Sequence, residues 1–173
     1  MIISTTEIKS RGVVPGLPKR TYNGFLKRAY FLLGLWWHTK CRPKHFTRAG
    51  AREYHYTPRQ GERGSASENA RRGFRSTYTG QKLRRMGHTL PLVWSGLSRA
   101  MTAIRNIRAS FKGVKVVLNA PTLNYRRPGS PIDKRREMTT VSEAERQRGL
   151  KILAAGLDAQ LRQYRGGRAV RIR

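Results

Sequence analysis

The sequence predicts an α+β protein with an N-terminal helix, central antiparallel β-strands and a C-terminal helix. Two observations support this fold class. Apolar residues recur with helical spacing in the first third of the chain and again after residue 142. Between residues 107 and 118 they alternate with polar residues instead, as in half-buried strands.

The length of 173 residues suits one domain with extended arms and is too short for two full-sized domains. We expect an extended arm over residues 1–20, a single α+β domain over 21–164 and an exposed basic tail over 165–173. The arm is rich in residues that interrupt regular structure, namely Gly12, Pro15, Gly16 and Pro18.

A first helix is predicted from Thr21 onwards. Thr21 or Asn23 would be its N-cap, and Pro43 marks its end because the residue before a proline avoids the helical region. A short second element is expected to follow with Phe46, Ala49 and Tyr54. One face of the first helix carries its apolar residues: Phe25, Ala29, Leu32, Leu33 and Trp36.

Residues 57–89 are rich in glycine and charge and have almost no apolar periodicity. Such a segment cannot bury enough apolar surface to fold alone, so a long basic loop is predicted that becomes ordered against a partner. The partner would be DNA or acidic protein. The candidate contact residues are its basic side chains: Arg63, Arg71, Arg72, Arg75, Lys82, Arg84 and Arg85.

Two strands are predicted around a tight turn at Lys112-Gly113. The alternation begins weakly at Met101 and Ala103, and it is clear at Ile107, Ala109 and Phe111, then at Val114, Val116 and Leu118. Residues 122–140 are rich in proline and arginine and are expected to form a loop.

The last helix is predicted over residues 143–164. Ser142 and Glu145 have the spacing of a capping box, in which each side chain bonds to the backbone N–H of the other residue. Acidic residues come first and basic residues last, as the helix dipole prefers. The leucines of its apolar face join three aromatic residues as the candidate core: Trp36, Trp37, Phe46, Leu150, Leu153, Leu157 and Leu161.

The segment WWHTKCRPKHF contains three side chains that can bind metals, His38, Cys41 and His45. His55, further along the chain, is a fourth candidate. Structural zinc sites are usually built from two pairs of ligands, and here the second pair is missing. Pro43 also stands inside the would-be ligand loop. We therefore expect these residues to end one helix and to connect it to the next segment, with no metal and no cofactor.

The sequence offers little for catalysis. It contains no nucleophile elbow and no glycine-rich phosphate loop, and Cys41 is a nucleophile by composition only. A metal-dependent nuclease needs clustered carboxylates, but basic residues flank Asp133 and Glu137. We expect a protein that is not an enzyme.

The charge balance predicts a negative partner. The chain has 37 Lys and Arg against 9 Asp and Glu, a formal charge of +28, and basic residues occur throughout it. A protein with this charge binds polyanions or acidic proteins. The N-terminus lacks the pattern of a secretory signal, and the apolar stretch AYFLLGLWW is shorter than the ~20 residues that cross a bilayer. We therefore expect a soluble protein that is made in a cytoplasm, with no membrane partner.

Several short segments between residues 36 and 163 occur in an order that resembles a known family. They are Trp37-His38, PKHFT at 43–47, YHY at 54–56, Arg59, PLV at 91–93, SGLSRAMT at 95–102, NAP at 119–121 and EMTTVSEAE at 137–145. The chain resembles the tail-component and virion-morphogenesis proteins of tailed bacteriophages, which include tail-completion proteins of the head–tail junction. Ser95-Gly96 stands where that family usually has Thr-Gly, and residues 57–89 do not align.

This resemblance implies a structural virion protein of the neck, a subunit of a ring around the DNA channel that is assembled in the host cytoplasm. Its partners would be other neck, connector and tail proteins, and it would make non-specific contact with packaged DNA. The family has no catalytic residues to transfer, and its Trp-His and His-Phe positions would be packing residues. The alternative from composition is a general nucleic-acid-binding or ribosome-associated protein.

Overall fold

The computed structural model describes residues 17–62, 73–93, 96–124 and 129–169, with side chains up to residue 164. It confirms the α+β class. The elements are helices α1 (Lys19–Trp36), α2 (Arg48–Glu53), α3 (Tyr78–Met86), α4 (Leu97–Ala103), α5 (Lys134–Thr139) and α6 (Glu143–Ala169), strands β1 (Ile107–Ser110) and β2 (Gly113–Val116), a π-helical turn (Trp37–Cys41) and 3-10 turns (Arg42–Phe46, Phe74–Ser76 and Pro121–Leu123).

The chain divides into two compact units. The first contains the described residues of 1–41, 105–117 and 141–173, and the second contains those of 42–104 and 118–140. Each unit is therefore built from segments that are distant in sequence. The single domain expected over residues 21–164 stays a prediction.

Helix α1 is the centre of the first unit, because α6 and the β1–β2 hairpin both pack against it. The core consists of Ala29, Tyr30 and Leu153, with Leu157 and other partly buried side chains around it. Leu153 is thus a core residue as predicted. Leu150 is not, because it is 40% exposed at the edge of the same helix. Of the remaining candidates, Trp37 and Phe46 are buried, whereas Trp36 and Leu161 are partly buried.

The two predicted strands form an antiparallel hairpin with Ile107 opposite Val116 and Ser110 opposite Gly113. Its turn is Phe111-Lys112, one residue earlier than predicted. The alternation at Met101 and Ala103 does not belong to a strand, because both residues lie in α4. A short alternating run is compatible with a helix when the intervening residues are small or polar.

The ends of the long helices differ from the prediction in instructive ways. Helix α1 begins after Pro18, so neither Thr21 nor Asn23 is its N-cap. It gives way to the π-helical turn after Trp36, where the Thr39 hydroxyl donates to the carbonyl oxygens of Leu35 (2.8 Å) and Trp36 (3.3 Å). A hydroxyl that binds the preceding turn in this way competes with regular α-helical bonding.

The capping box of α6 is confirmed. The backbone N–H of Glu145 donates to the Ser142 hydroxyl, and the backbone N–H of Ser142 donates to the Glu145 carboxylate, each at a distance of 3.3 Å. The helix continues to Ala169, beyond the predicted end at residue 164. The cap fixes where α6 begins, because it satisfies N–H groups that have no partner within the helix.

The second unit uses one local arrangement twice. Thr47 and Thr77 each follow a 3-10 turn and cap a helix by accepting the backbone N–H of a glycine three residues later, at 3.0 Å from Gly50 and 3.1 Å from Gly80. Each threonine also donates to a carbonyl three residues earlier. A Cβ on either glycine would clash with that same carbonyl, so both turns require glycine.

Two segments predicted to be loops contain helices in this unit. Within residues 57–89, α3 runs from Tyr78 to Met86 and ends at Gly87, which has a φ of +70°. Within 122–140, α5 begins at Lys134 and is capped by Asp133, whose carboxylate accepts the Arg136 N–H. Both helices are short and weakly apolar, so local capping marks them better than hydrophobic periodicity does.

Gly34 of α1 allows the hairpin to approach the helix closely. A Cβ at this position would lie 2.6 Å from Cγ2 of Val114 and 2.8 Å from Cγ2 of Ile107. Both neighbours are β-branched and have little freedom to rotate away. The helix and the hairpin can therefore pack at this distance only if residue 34 has no side chain.

We expect Gly34→Ala to lower the free energy of unfolding by about 1–3 kcal/mol, because steric overlap outweighs the ~1 kcal/mol gained from alanine's helix propensity. Gly24→Ala is the matched control, since a Cβ at Gly24 of the same helix meets nothing within 4 Å. That control should be neutral or stabilising. Urea denaturation followed by circular dichroism measures both variants, and equal effects would contradict the close approach.

Candidate functional site

The four candidate metal ligands have different surroundings. His38 and Cys41 are buried in the π-helical turn of the first unit, and His45 is buried in the second. His55 is exposed in the second unit with a φ of +52°. Across the described ranges of the chain, no three His, Cys, Asp or Glu side chains form a group that could hold a metal ion.

His45 is part of an aromatic stack in the second unit. Its ring lies parallel to Tyr54, with centroids 4.0 Å apart, and its Nδ1 lies 2.6 Å from the hydroxyl of Tyr56. Burial lowers the pKa of His45 to about 4, although a hydrogen bond with the backbone of Glu137 opposes this shift. The imidazole is therefore neutral at pH 7 and serves as a packing ring.

A buried ion pair lies beside this stack. The Arg59 guanidinium binds the Glu137 carboxylate with both of its terminal nitrogens, and the distance from Nη1 to Oε1 is 2.8 Å. The backbone N–H of Thr57 donates to the same oxygen over 3.2 Å. Burial alone would lower the pKa of Arg59, but the hydrogen bonds and charge of Glu137 raise it. A carboxylate held by three donors has a structural role and is poorly suited to act as a base.

Each described carboxylate has a hydrogen-bond or ion-pair partner within the protein. Two of the 9 acidic residues, Glu7 and Glu68, lie outside the described residues. The others cap helices, accept backbone N–H groups or pair with basic side chains: Glu53 with Lys44, Glu62 with the Arg59 N–H, Asp133 with the Arg136 N–H, Glu137 with Arg59, Glu143 with Arg146, Glu145 with the Ser142 N–H and Asp158 with Arg162. Asp133 and Glu137 have separate partners, so they do not form the paired carboxylates of a magnesium site.

Lys82 corrects one prediction about the basic segment. It was expected to contact DNA or a partner, but it is only 3% exposed, and its Nζ donates to the carbonyl oxygen of Leu90. The Nζ also lies 5.8 Å from the centroid of the Tyr78 ring. Burial lowers the pKa of Lys82 to about 8. Its place on α3 turns the side chain inwards, so Lys82 supports the fold and does not contribute to a binding surface.

The remaining basic candidates divide into two groups. Arg75, Arg84 and Arg85 are exposed in the second unit, where Arg84 and Arg85 lie in the last turn of α3. Positive charge there is favourable because the C-terminal end of a helix is negative. Arg63, Arg71 and Arg72 lie outside the described residues. The exposed arginines remain candidates for contact with an anionic partner.

Sequence reasoning missed the Arg59–Glu137 pair because its members are 78 residues apart and no local pattern connects them. The threonine caps were missed too, although a signal was present. Thr-x-x-Gly occurs in both FTRAG and STYTG, and in each the threonine directly precedes a helix. Threonine is a preferred N-cap, so this spacing was a usable indication of α2 and α3.

No family model matches the chain, and comparisons with curated proteins and with solved structures found no significant match. The search for membrane spans, made over the described residues, found no helix with the length and apolar character needed to cross a bilayer.

The buried His45 predicts a loss of stability in mild acid. Its folded pKa of about 4 lies below the ordinary value of 6.5. Between pH 6.5 and pH 4 the unfolded chain therefore binds the proton more readily than the folded one, and the protein loses stability as the pH is lowered. We expect a loss of about 2 kcal/mol between pH 7 and pH 5. Chemical denaturation at each pH measures it.

His45→Phe keeps an aromatic ring beside Tyr54 and should make stability nearly independent of pH over this range. His55→Asn is the control, because it removes an exposed histidine, leaves His45 in place and suits the positive φ of residue 55. If His45→Phe keeps the pH dependence of the wild type, the neutral buried histidine is not its source.

Proposed function

We propose that the protein is a structural component of the neck of a tailed bacteriophage, a subunit of a ring that joins head and tail around the DNA channel. One observation carries the proposal. Segments that resemble the virion-morphogenesis family contribute to one largely buried cluster in the second unit, through residues that are far apart in sequence: His45, Tyr54, Tyr56, Arg59 and Glu137.

The chemistry of this cluster favours an architectural role for those segments. The charge of Arg59 is paired with that of Glu137, and His45 is neutral and stacked on an aromatic ring. Residues with these roles hold a fold together and transform no substrate. A shared pattern of buried packing residues is what a family of assembly subunits needs, because its function depends on shape.

The charge supports a place within an assembly. The described carboxylates are already engaged within the protein, and the chain has a formal charge of +28. Many such subunits in one ring would repel one another unless anions lay nearby. DNA in the channel and acidic neighbouring proteins both supply that negative charge.

The assembly can be tested directly on the purified chain. We expect mass photometry and negative-stain electron microscopy to show a closed ring with a defined number of subunits, formed alone or with short duplex DNA as the counter-charge. Salt should be varied, because screening weakens repulsion between subunits. A chain that stays monomeric under all these conditions would contradict the ring and favour the alternative of a general nucleic-acid-binding or ribosome-associated protein.

The exposed arginines favour that alternative enough to justify a second test. If Arg75, Arg84 and Arg85 contact phosphates, replacing all three with glutamine should reduce the slope of log affinity against log salt by about two to three units. Binding should not depend on DNA sequence, because phosphate contacts position a protein and read no bases. Fluorescence anisotropy with two unrelated duplexes measures both properties.

Lys82→Met is the control for this test, because it removes one positive charge from the same helix at a buried position. We expect it to change stability and to leave the salt slope unaltered. If the arginine variant also keeps the slope of the wild type, the arginines do not bind DNA, and their expected role becomes contact with acidic proteins.

A further inference from the structure

A groove of about 460 Å³ runs along the outer edge of the hairpin in the first unit, between β1 and α1. Gly24 and Phe31 form its helical side, and Ile107 and Ala109 form its strand side. Gly24 leaves open space, since a Cβ there would meet nothing within 4 Å, and Phe31 is 39% exposed. The groove is therefore open and has an apolar floor.

The backbone of β1 is arranged to accept another strand. The backbone N–H of Val117 donates to the carbonyl oxygen of Asn106 at a distance of 2.9 Å. Hydrogen-bonded and non-hydrogen-bonded residue pairs alternate along an antiparallel ladder, so the N–H and C=O groups of Arg108 and Ser110 point towards β2. Ile107 and Ala109 direct theirs away from β2, and the groove is lined by residues of β1 and by none of β2. Among the described residues β2 is the only strand beside β1, so this edge pairs with no other described strand.

The charge of the groove indicates what would bind there. Lys27, Arg28 and Arg108 lie along it and are exposed, and none of its lining residues is acidic. Unpaired strand groups recognise an extended peptide backbone, and alternate side chains of that peptide would cover the apolar floor. Positive side chains along the rim favour carboxylates on the remaining positions of the peptide.

We propose that this groove binds an extended acidic segment of a partner protein, which adds to β1 as a third strand. A second copy of this chain is a poor source of that segment, because it has only 9 acidic residues against 37 basic ones. Its own N-terminal residues 1–16 contain Glu7 against Lys9 and Arg11 and do not complement the rim. The inference goes beyond the proposed neck function and does not depend on ring formation.

The probe is a labelled ten-residue peptide of alternating valine and glutamate, and the reference peptide has lysine in place of glutamate. Fluorescence anisotropy with the full-length protein should show binding of the acidic peptide and at least about tenfold weaker binding of the basic one. Hydrogen exchange should show added protection of the Ile107 and Ala109 amides in the complex. Equal binding of both peptides overturns the proposal.

Ala109→Pro tests the backbone contact. Ala109 directs its N–H away from β2, so proline there removes a donor for the new strand and leaves the hairpin ladder intact. We expect acidic-peptide affinity to fall about tenfold, the effect of losing one net hydrogen bond. Circular dichroism checks that the variant is folded, and a folded variant that binds like the wild type overturns the strand geometry.

The double variant Lys27→Glu, Arg28→Glu tests the rim without altering the strand. It should weaken binding of the acidic peptide by at least about tenfold and strengthen binding of the basic one. The double variant Lys112→Glu, Lys115→Glu is the matched control, because it reverses the same number of charges at exposed bases of the same hairpin that do not line the groove. Equal losses in the rim and control variants overturn the role of the rim.

Removal of residues 1–16 separates the remaining explanations. If the full chain does not bind the acidic peptide but the shortened chain does, the N-terminal segment occupies the groove and the proposal of a separate partner is wrong. If neither chain binds the peptide, the groove is not a strand-binding site. Ring formation is measured separately, so these results do not decide the proposed neck function.

Discussion

The shortage of carboxylates is the constraint on which the helix caps and the buried charges of this structure depend. With 9 acidic residues against 37 basic ones, the chain cannot neutralise its surface, and each described carboxylate has a hydrogen-bond or ion-pair partner. Glu145 fixes the start of α6, Asp133 fixes the start of α5 and Glu137 holds Arg59 in the interior. These three carboxylates position elements or a buried charge of the fold, and a large excess of positive charge remains on the chain.

The abundance of basic residues also shapes the interior. Lys82 and His45 are both buried, and burial lowers the pKa of each, to about 8 and about 4 respectively. Arg59 is buried too, but its pKa is raised because Glu137 compensates for the loss of water. Buried arginine and buried histidine therefore differ in their need for a carboxylate. A buried guanidinium stays charged and needs a partner, whereas an imidazole can lose its proton.

Close packing organises the first unit in a different way. Gly34 brings the hairpin onto α1, and Gly156 brings α6 close to Ala29 on the same helix. Helix α1 therefore has neighbours on two sides, and both contacts depend on residues without side chains. This arrangement partly buries the face of the hairpin towards α1 and leaves β1 beside a basic groove. The packing of the hairpin against α1 thus also forms the groove that is inferred to bind a strand.

The sequence by itself determined the elements whose causes are local. The Ser142–Glu145 capping box and the alternating residues of β1 and β2 act over a few residues, so both were predicted correctly apart from the position of the turn. Tertiary structure decided which side chains are buried. Leu150 lies on the predicted apolar face yet is exposed, and Lys82 lies in a basic segment yet is buried. Burial depends on what packs opposite a residue, and the partner of Arg59 is 78 residues away along the chain. No short pattern in the sequence contains that information.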